Sequence, residues 1–352
     1  MYAQSGRETR QAGWHRRSLS CPSVRRWDIL FWKNSKAEEE LRMEGKIAIL
    51  GAGHVGSHVA RALAACEAAE EIVLIDKLQE KASAQAMDIA DSLSFSSGKI
   101  RVRAGSYGDC ADADITVSAI GKPREPGQTR LDLLGDSVRM AHELAGQLGE
   151  KGVGGLLVSI TNPCDIIAGC LRRLLGMDRF RAFGTGTLLD TARLIRILSE
   201  QTGVPCCGIE ALVLGEHGDS SMIPYSALRI DGVPAAEVPG FNPEEALERT
   251  HSIGMDIING KGSTEFGIGQ AAAFLCKTIL SGKKRTLPLS VSLDGEYGLS
   301  GFNCGVPCTV GRNGIESVLQ LELARSEREA LQATAAVLEK HTRLADEIIA
   351  GL

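Results

Sequence analysis

The segment Val213-Leu-Gly-Glu-His-Gly-Asp-Ser220 sets one histidine, His217, between two glycines and two carboxylates. It follows an apolar run, Ile209 to Leu214, that reads as a buried strand. A histidine at a strand end is suited to gain or lose a proton near neutral pH, because its unperturbed pKa is about 6.5. The chain has seven histidines, and no other sits in such a setting. The competing reading is a solvated turn histidine. Asp190 and Arg193 lie three apart in a run, Leu188 to Ser199, that reads as a helix, so they share one face. A surface ion pair is the plainer account of that spacing. Arg124 and Arg130 fall in Gly121-Lys-Pro-Arg-Glu-Pro-Gly-Gln-Thr-Arg130, whose glycines and prolines fit a mobile loop. Loops of this kind close over substrates and exclude water.

A second constellation stands near the start. Lys46 to Leu50 is a short apolar strand, Gly51-Ala-Gly-His-Val-Gly56 follows at once, and Ser57 to Ala65 reads as an alanine-rich helix. A G-x-G-x-x-G is informative only in this strand–turn–helix context. Glu71 to Asp76 is a second strand, ending in an acid twenty residues after Gly56. In a dinucleotide fold Gly51 allows the tight turn, Gly53 admits the pyrophosphate and Gly56 lets helix and strand pack closely. The helix N-terminus faces the phosphate charge. Asp76 would bond a ribose 2′-hydroxyl and repel a 2′-phosphate, which favours NAD over NADP.

The elements that must position these groups alternate. Strands are expected at 100–104, 114–120 and 155–160, with helices at 81–93, 131–148 and 164–175. Such alternation implies a parallel sheet with helices on both faces, and ligands at the carboxyl ends of its strands. Asp76, Arg124, Arg130 and Asn162 all follow strands. Beyond residue 164 the pattern changes. Helices are expected at 188–199, 243–260, 264–280 and 326–350. Strands are expected at 209–214, 226–232, 286–293, 306–310 and 318–323. The fold class is therefore α/β: a Rossmann-type parallel-sheet nucleotide domain, 43–164, followed by an α+β substrate domain, 165–352.

Composition narrows the function. The chain has 352 residues, 43% hydrophobic and 24% charged, with a net charge of −5. That is enough for two cores. The acidic balance leaves no general nucleic-acid footprint. No apolar run reaches the roughly 18 residues that span a bilayer, so neither nucleic acid nor membrane is an expected partner. Ten cysteines are scattered without a CxxC pair, so no metal site is expected and the usage suits a reducing compartment. Residues 1–42 are rich in arginine and hold all three tryptophans, with Glu8 the only acid before Asp28. They read as a disordered or mis-started leader ahead of Met43. A mitochondrial transit peptide shows the same pattern, and a cytoplasmic location is otherwise expected.

In combination these motifs resemble the L-lactate/malate dehydrogenase family, from about Lys46 to the C-terminus. The resemblance rests on Gly51-x-Gly-x-x-Gly56 with Asp76, Pro126-Gly-Gln-Thr-Arg130 and Thr161-Asn-Pro163. It continues in Leu189-Asp-Thr-Ala-Arg193, Gly215-Glu-His-Gly-Asp219 and Lys261-Gly-Ser-Thr264. It implies an NAD-dependent oxidoreductase that interconverts a 2-keto acid and an L-2-hydroxy acid, built as a homodimer or homotetramer. It implies that His217 exchanges a proton with the substrate oxygen, that Asp190 orients His217, and that Arg130 polarises the keto group as the loop closes. Arg193 would hold the carboxylate as a planar fork, while Asn162 and Thr264 line the substrate and nicotinamide site. Gly51, Gly53, His54, Val55, Gly56, Asp76, Ala119, Gly121 and Asn162 would hold NAD. Pro123-Arg-Glu-Pro-Gly127 is similar to malate-type members, whose arginine pairs with a distal carboxylate, so Arg124 favours malate and oxaloacetate. The segments around Asp190 and after Lys261 are closer to lactate and branched 2-hydroxy acid enzymes, an alternative in which Arg124 turns out of the site. A different dinucleotide enzyme would need a metal cluster or another catalytic set, which the sequence does not show, and a nucleotide-binding protein without catalysis would have no reason to keep His217, Asp190, Arg193 and Arg130 together.

Overall fold

The computed structural model describes residues 45–95, 100–121 and 130–352. The leader and Arg124 lie outside them, as does the side chain of Arg130. Six short strands lie parallel: β1 (Lys46–Leu50), β2 (Glu71–Ile75), β3 (Arg101–Ala104), β4 (Ile115–Ser118), β5 (Leu156–Ser159) and β6 (Ala182–Gly184). Their spatial order, 3-2-1-4-5-6, reverses between β1 and β4. That is the dinucleotide-binding topology, with its crevice at the reversal. Ile47, Ile49, Leu74, Ile115, Val117 and Phe183 are all buried, as expected of strands covered on both faces. The covering helices are α1 (His54–Ala65), α2 (Gln79–Leu93), α3 (Arg130–Lys151) and α4 (Cys164–Leu174).

The sheet does not stop at residue 164. After α4 the chain returns as β6 beside β5. Three antiparallel strands then extend the same sheet to nine: β10, β11 and β12, reached after the elements of the second core. That core forms around α5 (Leu188–Thr202) and a small antiparallel sheet of β7 (Ile209–Glu210), β8 (Arg229–Ile230) and β9 (Val233–Pro234). Next come α6 (Pro243–Lys261) and α7 (Phe266–Ser281), then β10 (Arg285–Asp294), β11 (Ser300–Gly311), β12 (Gly314–Val318) and α8 (Arg325–Ala350). Asn242 caps α6 by accepting from the Glu245 N–H at 3.2 Å, ahead of Pro243 at the first helical position.

Four local expectations need correction, one of them the strand expected at 226–232, of which only Arg229–Ile230 is a strand, between two turns. The run Ile209 to Leu214 is a strand only at Ile209–Glu210; past it, Leu214 bridges Met222 and Gly215 bridges Gly305. The last strand lies at Gly314–Val318, not 318–323. Arg312-Asn313 forms a two-residue turn into Gly314, at φ +99°, and an Asn-Gly pair is a strong hairpin signal. β11 accordingly begins six residues before the expected 306.

Candidate active site

The loop carrying His217 is held from several sides. Leu214 and Met222 exchange two backbone hydrogen bonds of 2.8 Å, and Gly215 exchanges two more with Gly305 in β11, also 2.8 Å. The Thr187 hydroxyl donates to the Val213 carbonyl at 2.5 Å, and the Val213 N–H donates to the Thr191 hydroxyl at 2.9 Å. From α8, buried Thr334 accepts the Glu216 N–H at 3.0 Å and lies 2.8 Å from the Ser220 hydroxyl. The large sheet, the start of α5 and the last helix thus define where one imidazole stands.

His217 Nδ1 lies 2.6 Å from Asp190 Oδ2, and Asp190 Oδ1 accepts from Arg193 at 3.1 Å. The ring keeps 22% exposure while Asp190 keeps 8%, so a substrate can reach the histidine but not the carboxylate behind it. Nδ1 facing a carboxylate carries the fixed N–H, which leaves Nε2 as the atom that gains and loses a proton. The Asp190 charge, outweighing burial, pushes the His217 pKa up to about 9. Burial pushes the Asp190 carboxyl up, but His217 and Arg193 outweigh it and hold it below the usual carboxylate range.

The glycine turn has the geometry a dinucleotide needs. Gly51 has φ +99°. A Cβ at Gly56 would sit 1.8 Å from the Gly51 carbonyl oxygen, whereas one at Gly53 would meet only Lys81 Nζ, at 3.7 Å. The turn is therefore closed on its sheet side and open at Gly53, where a pyrophosphate would approach. Asp76 accepts the Ala52 N–H at 2.8 Å and the Leu78 N–H at 3.0 Å. That fixes the carboxylate beside the turn with lone pairs left for a diol. His54 and Val55 open α1, and Ala119 donates its N–H to Leu50 across the crevice at 2.8 Å. Gly121 follows β4, and Asn162 is exposed after β5 at a cis Asn162–Pro163 bond.

Beside Arg193 lies a cavity of about 380 Å³, walled by Leu189, Ala192, Ile253, Ile257 and Phe266, with Thr264 on its lining. Two further cations reach it, each with a carboxylate partner: Arg196 with Glu200, and Lys261 with Glu265 at 2.8 Å. Arg193, Thr264, Asp190 and His217 are thus brought together.

Two family models cover the chain: the lactate/malate dehydrogenase NAD-binding domain over residues 45–184, and its alpha/beta C-terminal domain over 187–348. The chain belongs to the lactate/malate dehydrogenase family. It is an oxidoreductase acting on a CH–OH group with NAD as cofactor. The L-lactate dehydrogenase of Lactobacillus helveticus is 38% identical over 301 residues, covering 84% of this chain and 93% of that protein. That of Fusobacterium nucleatum is 39% identical over 304 residues, covering 84% and 95%. Among solved structures, the ligand-bound minor L-lactate dehydrogenase of Enterococcus mundtii matches with TM-score 0.82 and 30% identity, over 86% of this chain and 98% of that one. The malate dehydrogenase of Picrophilus torridus matches with TM-score 0.83 and 26% identity, over 87% and 99%.

One carboxylate of this family member escaped the sequence reading. Asp165, the second residue of α4, is 2% exposed and accepts the His217 backbone N–H at 2.8 Å. An acid in the first turn of a helix is commonplace, which hid it. Its place three residues after Asn162 was the available signal. His251 on α6 was missed too; its Nε2 lies 3.0 Å from the Ser221 hydroxyl and tethers α6 to the loop.

Proposed function

We propose that the chain reduces an aliphatic 2-keto acid to the L-2-hydroxy acid, and runs the reverse, with His217 as the acid/base. The observation that carries this reading is the Arg193–Asp190–His217 chain of contacts, whose Arg193 end lines the cavity. The turn built by Gly51 and Gly56 would hold the pyrophosphate at Gly53 and Asp76 would hold the ribose, with His54, Val55, Ala119, Gly121 and Asn162 lining the cofactor's path. Bound NADH supplies the hydride. The protein does the rest. Arg193 grips the carboxylate as a fork, which fixes the direction of the keto carbon. Protonated His217 donates from Nε2 to the keto oxygen as negative charge develops there. Asp190 stabilises the imidazolium before transfer and holds the ring through it. Arg130, at the head of α3, polarises the same oxygen, and Thr264 packs against the substrate. In the reverse direction neutral Nε2 takes the hydroxyl proton. A homo-oligomer is the expected assembly.

The apolar side chains beside Arg193 suit a methyl or larger aliphatic side chain, and two of the cations on the lining, Arg196 and Lys261, already have carboxylate partners. A second reading has its own observation: Arg124 in Pro123-Arg-Glu-Pro-Gly127 matches the malate type, and a distal carboxylate would pair with it. The deciding experiment is kcat/KM for pyruvate, 2-ketoisocaproate and oxaloacetate with NADH, repeated in Arg124→Gln. The aliphatic reading expects pyruvate or 2-ketoisocaproate to lead and the variant to keep the order. Oxaloacetate leading by tenfold, and losing that lead in the variant, would establish the malate reading; about 1.4 kcal/mol suffices for each factor of ten.

A further inference from the structure

His217 faces two carboxylates that approach from opposite ends of the residue. Asp190, on α5, meets the ring; Asp165, on α4, meets the backbone N–H at 2.8 Å. The charged groups acting on His217 are these two and Arg193. Asp165 itself lies among His217, Glu216, the Ser290 hydroxyl of β10 and the thiols of Cys164 and Cys304. Burial pushes the Cys164 thiol up to about 12 and Cys304 well above the thiol range, so both are neutral here. No arginine or lysine is paired with Asp165 among the described ion pairs. Its balancing charges are the α4 N-terminus and the protonated His217.

We infer that Asp165 is a positioning residue for the reaction, which fixes the His217 backbone and, by its charge, helps keep the proton on the ring. The inference rests on the acid/base reading of His217. An apolar interior would accept a neutral amide at this place as an N–H acceptor with less desolvation. A carboxylate adds a negative charge that favours the imidazolium. Burial raises the Asp165 pKa to about 6, so the group is mostly charged at neutral pH and titrates apart from the ring near 9.

The test compares Asp165→Asn with the unaltered enzyme. The amide oxygen still accepts the His217 N–H, so geometry is kept and charge is lost. The expected result is a downward shift, by roughly half a pH unit or more, of the pH at which kcat/KM for keto-acid reduction falls, with NADH affinity unchanged. The ring-nitrogen NMR titration of His217 in 15N-histidine-labelled enzyme should move by the same amount. An unmoved limb together with an unmoved ring titration overturns the inference and leaves Asp165 a structural acceptor. The NMR titration does not depend on turnover. A shifted ring in an enzyme whose His217→Ala variant still turns over would uphold the effect of Asp165 and sink the acid/base reading instead. If the variant does not fold, the unaltered enzyme decides. The His217 amide proton should titrate as Asp165 takes its proton, with a midpoint below that of the ring; an amide shift that stays flat over the whole range from about pH 3 to 8 overturns the inference.

Discussion

His217 combines a fixed donor at Nδ1 with an Nε2 free to titrate, and Asp190 decides which form of the ring prevails. Because the pKa is raised, the imidazolium is the resting form at neutral pH and is lost as pH rises through about 9. On the proposed mechanism keto-acid reduction needs that form, so kcat/KM for reduction should be level below that pH and fall above it. Oxidation of the hydroxy acid needs the neutral ring and should rise through the same value. Asp190→Asn should draw both limbs down toward the ordinary histidine pKa of about 6.5. Stopped-flow or steady-state pH profiles in both directions check this; limbs that ignore the Asp190 variant would detach the carboxylate from the chemistry. Arg193 permits a sharper test. Lysine keeps the charge but not the planar fork, so Arg193→Lys should cost about 3 kcal/mol, on the order of a hundredfold in kcat/KM. The loss should fall mainly on the keto-acid KM, with NADH binding intact. At this scale the sequence was legible where residue type alone suggests a place in the site, as at His217 and Arg193, which the fold joins through Asp190. It was not legible at Asp165, whose inferred role rests on a backbone contact 52 positions away.

Among the elements, the strand–turn–helix at the start makes the strictest demand, and its glycines divide by what surrounds them. An alanine at Gly56 would drive its Cβ to 1.8 Å from the Gly51 oxygen, so the turn must open. Gly56→Ala should therefore lower both thermal stability, by an overpacking cost of about 1–3 kcal/mol, and NADH affinity. Gly53→Ala meets nothing closer than Lys81 Nζ at 3.7 Å. It should melt near the unaltered enzyme and lose NADH affinity alone, because the methyl stands where the pyrophosphate comes closest. Paired melting curves and NADH fluorescence titrations separate the two; equal melting losses in both would show that Gly53 is structural. The same elements explain what a linear reading reaches. Strands β1, β2, β4 and β5 are apolar runs bounded by turn residues, and their parallel arrangement follows from alternation. β6 has only three residues, Ala182–Gly184, and borrows its identity from β5 and Ser290 of β10, neither of which is local.

For the whole molecule, the question is whether two family-model halves make two folding units. The sheet passes from one to the other at β6 and β10, where Gly184 and Ser290 form the registered pair. That seam alone would be weak. It is reinforced by α4, which packs on β5 and β6 of one half and on β10, β11 and α8 of the other, and by α1 against α7. One buried cluster runs through both, from Ile47 and Leu74 to Leu289, Val306 and Leu338. Gly269 on α7 lies so close to α1 that a Cβ there would be 3.1 Å from the His58 backbone. Separating the halves would expose that shared apolar surface at a cost of about 25 cal/mol per Å², far more than one seam of hydrogen bonds. The expectation is a single calorimetric unfolding transition. NADH at a hundred times its Kd should stabilise the whole of it, by about 2.7 kcal/mol, although the dinucleotide touches mainly the first half. Two transitions, of which NADH moves only one, would mean that β6 and β10 part before either core melts.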